Sequence, residues 1–479
     1  MARWFKALLA LTVLAALGAC QASEPAPRSF DGRPNIIFLL ADDLGYADLG
    51  VQGWREAPTP NIDRLARSGA RMTDFYAAHS SCAPSRVGLL TGRYQHRIGF
   101  ENNPGPVQKT DPSFGVPAST PMISERLKAA GYATGAVGKW HIGYQGDMRP
   151  TGKGFDEFYG FLDGAMAYTA DAPNGLKLLI RGTQPAPMAA HTTEAFADEA
   201  VRFIRSHRDQ PFFLHVAFNA PHAPMQSTAA YLERFMSEPD PRRRAYLAMM
   251  AALDDAVGRI VQEVEANGLA ETTLIVFTSD NGAPTWQTTS SNLPLNGVKG
   301  LVLEGGIRVP TLFRWTGRIP AGLVLSQPGI GMDITATALA AAGLGTVPDL
   351  DGRNLLPVLR GGGGAIEERA LFWRNGTQGA VRKGRWKAIL AGDDWLLFDL
   401  ASDSGERRDL AQSEPERLAG LRADYQAWSS SMSPARWEWD LRRLDDGLTR
   451  EAGIPQLIRD YVAGKPVDPR PILYGGGPE

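Results

Sequence analysis

Residues 80–93 read SSCAPSRVGLLTGR, and the rest of the chain is organised around them. A turn-type run, Cys82-Ala83-Pro84-Ser85, leads into the helical pattern Arg86-Val87-Gly88-Leu89-Leu90. Proline is tolerated in the first turn of a helix, where its missing N–H has no partner to lose. Cys82 is therefore expected at or just before a helix N-terminus. Unpaired N–H groups there favour an anion and lower a thiol's pKa. Arg86, one turn on, adds a fixed positive charge. The competing reading is a buried structural cysteine, a common fate of a lone thiol.

The segments on either side alternate between two patterns. Ile36-Ile37-Phe38-Leu39-Leu40-Ala41 is a continuous apolar run, the mark of a strand buried on both faces of a parallel sheet. Similar runs follow at 132–137, 212–218 and 273–278. Between them lie helical patterns over 119–130, 192–206 and 242–267, the last with Tyr246, Met250, Leu253, Val257, Ile260 and Val264 on one stripe. Strands alternating with helices predict an α/β fold: a large, mostly parallel sheet flanked by helices.

Each strand run ends in a residue type that carries chemistry. The first ends in Asp42-Asp43, an adjacent carboxylate pair that is costly to bury without a cation. The second leads into Lys139 and His141, at period two, which an extended backbone points to one side. The third leads to His222, held between Pro221 and Ala223-Pro224; the fourth ends in Asp280-Asn281. Taken singly, these are solvated loops, helix caps or surface side chains. Taken together they converge, because ligands in open α/β sheets bind beyond the carboxyl ends of the strands. Lys299 lies in a glycine-flanked loop where backbone approaches a ligand closely. His215 falls within a strand run and reads as a core residue.

The run Cys82-x-Pro84-Ser85-Arg86 with Leu90-Thr91-Gly92-Arg93 resembles the signature of the type I sulfatases, members of the alkaline phosphatase superfamily. The segments 296–300, 304–310, 351–356 and 397–410 also resemble sulfatase segments, so the likeness spans about residues 34 to 428. It implies that Cys82 is oxidised after translation to Cα-formylglycine by a formylglycine-generating enzyme or an anaerobic maturase. It also implies a Ca²⁺ ion held by Asp42, Asp43, Asp280 and Asn281, with the converted Cys82 completing the site; all-oxygen side-chain donors suit calcium better than zinc. In the implied mechanism the aldehyde hydrates to a geminal diol held by Arg86. One hydroxyl attacks sulfur, with Asp280 taking its proton. Lys139 and Lys299 bind the sulfate charge, and His222 protonates the leaving oxygen. The second hydroxyl, deprotonated by His141, then expels sulfate. The substrate class implied is a sulfated carbohydrate or an aryl sulfate. Some relatives with a similar nucleophile motif act on phosphate or phosphonate esters, which leaves a phosphodiester or phosphonate monoester hydrolase as the alternative. Residues 155–171 show no unambiguous substrate-side equivalent.

Composition is ordinary for a soluble globular protein: 43% hydrophobic, 21% charged, net charge −2. That charge gives no electrostatic case for nucleic-acid binding. At the N-terminus Arg3 and Lys6 precede an apolar run, 7–17, too short to span a bilayer and patterned as an export signal. It ends in Leu17-Gly18-Ala19-Cys20, which resembles a bacterial lipobox. We expect a signal peptide over 1–19, then either lipidation of Cys20 and membrane attachment or plain secretion, and a tether over 20–33. Either route places the protein in the periplasm or at the cell surface. The catalytic domain is expected over 34–360. A flexible glycine run, 361–364, separates it from a C-terminal subdomain, 365–479, with a small antiparallel sheet and a helix over 414–428. No motif is assigned beyond Ser430.

Overall fold

The computed structural model describes residues 32–54, 57–105, 107–172, 175, 177–437 and 450–474. Cys20, the expected export signal and most of the expected tether lie outside the described residues. In chain order the strands are β1 (Asn35–Ala41), β2 (Ala70–Met72), β3 (Phe75–Tyr76), β4 (Ala133–Lys139), β5 (Glu157–Phe161), β6 (Leu179–Arg181), β7 (Gln184–Ala186), β8 (Phe212–Ala217), β9 (Thr273–Ser279), β10 (Thr311–Arg314), β11 (Leu323–Leu325) and β12 (Gly329–Ile330). Ten of them form one sheet in the order β11-β2-β10-β9-β1-β8-β4-β5-β6-β7; β3 and β12 pair separately.

The centre of that sheet is parallel. β1 runs between β8 and β9, with Leu39 opposite Val216 on one side and Phe277 on the other. β4 pairs with β8 and β5 in the same sense. The antiparallel strands β10, β6 and β7 lie outside this core. Every residue of β1 is buried because alternate side chains feed opposite layers. Ile36, Phe38 and Leu40 join a cluster with Val87 and Leu90 of the helix Cys82–Thr91 and Ile334 of the helix Gly331–Ala341. Ile37 and Leu39 pack with Phe196 and Phe203 of the helix Thr192–His207 and Met250 and Leu253 of the helix Pro241–Ala266. The predicted strands and helices are present with shifted ends. The first predicted helix begins only at Ile123, since Pro121 disfavours helical geometry in the residue before it. The long helix is capped by Asp240, whose side chain accepts from the Arg242 amide.

Beyond the glycine run a four-stranded antiparallel sheet follows: β13 (Ala370–Asn375), β14 (Gln378–Lys383), β15 (Trp386–Ala391) and β16 (Asp394–Asp399). The helix Pro415–Ser430 covers it, with Trp428 stacked on Phe372. This sheet does not have a core of its own: Trp373, Val381 and Phe398 share one apolar cluster with Tyr76, Tyr94 and Leu301. Under the junction Lys387 Nζ lies 2.9 Å from Glu304 Oε1 and 2.8 Å from Glu406 Oε1, all three side chains fully buried. The tail adds helices Arg450–Val462 and Arg470–Tyr474, and Trp437 packs on Phe100 and Phe114. No helix among the described residues is long and apolar enough to cross a membrane.

Candidate active site

β9, β1, β8 and β4 are adjacent and parallel, so the residues that follow them meet at one edge. Asp43 (φ 66°) and His141 (φ 67°) both adopt left-handed backbone. Such geometry is uncommon for non-glycine residues and concentrates at functional sites. It also overturns one expectation. The strand ends at Lys139 and the chain turns at His141, so the pair does not lie on one extended segment, yet both side chains reach the site.

Cys82 is the first residue of its helix and is buried, with Sγ 3.6 Å from Asp42 Oδ1 and 4.0 Å from Asp43 Oδ1. Lys139 Nζ donates to Asp42 Oδ2 at 2.7 Å, and Lys299 Nζ donates to Asp43 Oδ2 at 2.7 Å. Arg86 Nε donates to Asp280 Oδ2 at 2.9 Å, and Arg86 Nη1 donates to the Lys139 carbonyl at 3.0 Å. The Asp43 amide donates to Asp280 Oδ1, and Asn281 Nδ2 donates to Asp43 Oδ1 at 2.6 Å. His222 Nε2 stands 3.5 Å from Asp43 Oδ2, while its Nδ1 is engaged by the Ala223 carbonyl. Three buried carboxylates therefore face three buried cations.

Burial sets most of the proton affinities here. It pushes the Cys82 thiol up to about 12, outweighing Lys139 and Lys299. The lowered thiol pKa expected from the helix terminus is therefore not found: Arg86 spends its charge on Asp280, and desolvation wins. Burial, reinforced by Lys139 and Arg86, holds His141 well below its ordinary value, so its ring is neutral. His222 is also lowered, chiefly by burial and against the pull of Asp43. Asp280 is raised by burial and by the neighbouring Asp42 charge. Burial pushes Asp42 up as well, but Lys139, His222 and Arg86 together bring it below the usual carboxylate value.

Single ligand atoms from Asp42, Asp43, Cys82 and His222 lie within 4.8 Å of one another, close enough to hold a metal ion. This set includes His222, which the sequence reading gave another role. Asp280 and Asn281 adjoin it through Asp43. Asn281 Oδ1 is buried with no hydrogen-bond partner among the described residues, the condition expected of an oxygen waiting for a cation. Four of these six side chains, Asp42, Asp43, Asp280 and Asn281, offer carboxylate or amide oxygens, which fits a hard divalent ion.

The site opens into a cavity of about 420 Å³ lined by Cys82, His141, His222 and Lys299, together with Lys109 and Asp163. All of the residues expected to carry chemistry at 42, 43, 82, 86, 139, 141, 222, 280, 281 and 299 come together, and His215 lies in the core as expected, stacked near Phe155. Sequence reasoning missed four neighbours. Asn103 Oδ1 accepts from the Ala83 amide and fixes the first turn after Cys82. The Tyr168 hydroxyl donates to the carbonyls of Asn219 and His222 at 2.5 and 2.8 Å, tying down the His222 loop. Lys109 and Asp163 form an ion pair on the cavity wall. None of the four lies in a motif; each reaches the site through packing between distant segments.

A family model described as Sulfatase matches residues 34–344. The chain is 35% identical to the N-acetylgalactosamine-6-sulfatase of Rattus norvegicus over 405 residues, covering 80% of this chain and 75% of that protein. Among solved structures it resembles Ps i-CgsB, crystallised in complex with k-i-k-neocarrahexaose, with a TM-score of 0.80 and 34% identity over 85% of this chain and 94% of that one. The phosphonate monoester hydrolase of Agrobacterium radiobacter shares the fold, with a TM-score of 0.63 at 23% identity over 82% and 96% of the two chains. The chain belongs to the sulfatase family and is a sulfuric ester hydrolase.

Proposed function

We propose that this sulfatase releases inorganic sulfate from a sulfated carbohydrate, using Cα-formylglycine made from Cys82 and a Ca²⁺ ion held by Asp42, Asp43, Asp280 and Asn281. The observation that carries the reading is the buried ring of acidic and amide oxygens around Cys82, with Asn281 Oδ1 unpartnered. The named relatives, an N-acetylgalactosamine-6-sulfatase and Ps i-CgsB, crystallised with k-i-k-neocarrahexaose, support a carbohydrate substrate. A bound ion would supply Lewis-acid polarisation of the sulfate oxygens, and the converted Cys82 would supply the nucleophile. Asp280, raised by burial, is placed to take the nucleophile's proton, and Arg86 holds both Asp280 and the Lys139 backbone in position. Lys139 and Lys299 offset the sulfate charge in a buried setting where each ammonium counts for more than in water. His222 directs Nε2 into the site and, as the imidazolium, is placed to protonate the departing sugar oxygen; neutral His141 is the base for sulfate release.

Export follows the same reading: the apolar run at 7–17 and Cys20 direct the chain to the periplasm or cell surface, with lipid attachment at Cys20, and a maturing enzyme converts Cys82. The domain division proposed is 34–360 for catalysis and 365–479 for the C-terminal subdomain. The test is sulfate release from N-acetylgalactosamine 6-sulfate, set beside hydrolysis of bis(p-nitrophenyl) phosphate. Sulfate release as the dominant activity is expected. Dominant phosphodiester cleavage would overturn the reading in favour of the alternative.

A further inference from the structure

The cavity that holds the sulfate site has a second polar feature, absent from the chemistry described so far. Lys109 Nζ pairs with Asp163 Oδ1 on its wall, the two side chains 41% and 28% exposed. The pair is well placed. His141 is anchored to the segment that carries Asp163: the His141 amide donates to the Leu162 carbonyl at 3.1 Å. Gly164 packs so tightly on the same ring that a Cβ there would lie 2.6 Å from His141 Nε2. Lys109 is held from the other side, where Gln145 Nε2 donates to its carbonyl at 3.2 Å. Two segments far apart in sequence thus meet beside the reacting centre, bridged by one ion pair.

We infer that Lys109 and Asp163 read two neighbouring hydroxyls of a sulfated pyranose, and so select sugar sulfates over aryl sulfates. The inference rests on the sulfatase reading above. Three features of the pair support it. It is electrically neutral as a unit, so it does not recruit a second anionic group as a lone lysine would. It sets a charged acceptor beside a charged donor, which matches a vicinal diol: one hydroxyl donates to the Asp163 carboxylate and its neighbour accepts from the Lys109 ammonium. It is partly open to solvent, so whatever covers it must replace the solvent's hydrogen bonds. A hydroxylated ring does so, whereas an apolar aryl or steryl face would leave two charges desolvated without partners. Pro224, partly exposed on the same cavity wall, offers apolar surface to the C–H face of a ring.

The experiment measures kcat/KM for N-acetylgalactosamine 6-sulfate and for p-nitrophenyl sulfate with the mature enzyme, Asp163→Asn and Lys109→Met. The readout is the ratio of the two values, which cancels any general loss of active protein. Losing a hydrogen bond between a charged group and a substrate hydroxyl should lower the sugar-to-aryl ratio about 10- to 100-fold in each variant. A ratio that falls less than about fivefold, including equal losses on both substrates, overturns the inference, because a site that recognises hydroxyls through these groups must lose more than that. Lys109→Met guards against disturbance of His141, since Lys109 lies outside the segment packed on that ring. The two readings fail separately. An unaltered enzyme that releases sulfate from neither compound defeats the proposed function; one that cleaves the sugar sulfate while the variants keep its ratio defeats only the role of the pair.

Discussion

Cys82 shows where residue-level reading succeeds and where it stops. Its neighbours Pro84, Ser85 and Arg86 mark it out in the sequence, and it does begin a helix. Its proton affinity was not readable, because that depends on burial and on where Arg86 points. A thiol pushed up to about 12 is a poor nucleophile at neutral pH, which agrees with a role as precursor to another group. Cys82→Ala should lower kcat for sulfate release by at least about a thousandfold, the scale lost when a nucleophile is removed, with the fold intact by circular dichroism. Tyr168 was invisible in the sequence and acts through His222. Tyr168→Phe removes the hydroxyl that holds the His222 loop. The expected loss is about 10- to 100-fold on alkyl and sugar sulfates, whose poor leaving groups need a proton, and much less on p-nitrophenyl sulfate, whose leaving group does not. Equal losses on both would show a purely structural role.

At the scale of elements the pattern was largely legible. Continuous apolar runs mark strands buried on both faces, and β1, β4, β8 and β9 are such strands. What the runs do not encode is order: nothing in the sequence says that β1 lies between β8 and β9, or that β5, β6 and β7 extend the sheet beyond β4. Short strands such as β2 and β11 escape notice because three residues carry no period. Leu39 lies in the central strand, fully enclosed between two helices and two strands. Leu39→Ala should therefore destabilise the protein by about 2–5 kcal/mol, read by chemical denaturation. Because β1 also carries Asp42 and Asp43, activity should fall in parallel with the folded fraction and not before it.

The whole molecule depends on contacts between its ten-stranded and four-stranded sheets, and these were the least legible of all. The Glu304–Lys387–Glu406 cluster joins residues far apart in the chain, and no local pattern announces it. Lys387→Met should cost about 3–5 kcal/mol, because buried Glu406 loses its cation while Glu304 keeps Arg308, whose Nη1 lies 3.3 Å from Oε2. His96 sits at the same junction, its Nε2 against the Arg374 carbonyl and its ring against Trp428. Burial pushes His96 from 6.5 down to about 3. The folded value lies below the unfolded one, so the neutral ring stabilises fully above pH 6.5 and the contribution is lost as pH falls toward 3. Between pH 7 and 5 that loss is about 2 kcal/mol. A His96→Gln variant should be less stable at pH 7 but lose less on acidification than the unaltered protein; parallel curves would contradict the assignment.

The claim on which the chemistry turns is that residue 82 works as an aldehyde and not as a thiol. The most direct measurement is the mass of the proteolytic peptide that contains residue 82, taken from enzyme whose sulfate release has been measured. The account predicts a peptide lighter than its encoded sequence by the difference between CH₂–SH and CHO, in proportion to specific activity. A fully active preparation whose peptide carries only the intact thiol would contradict it.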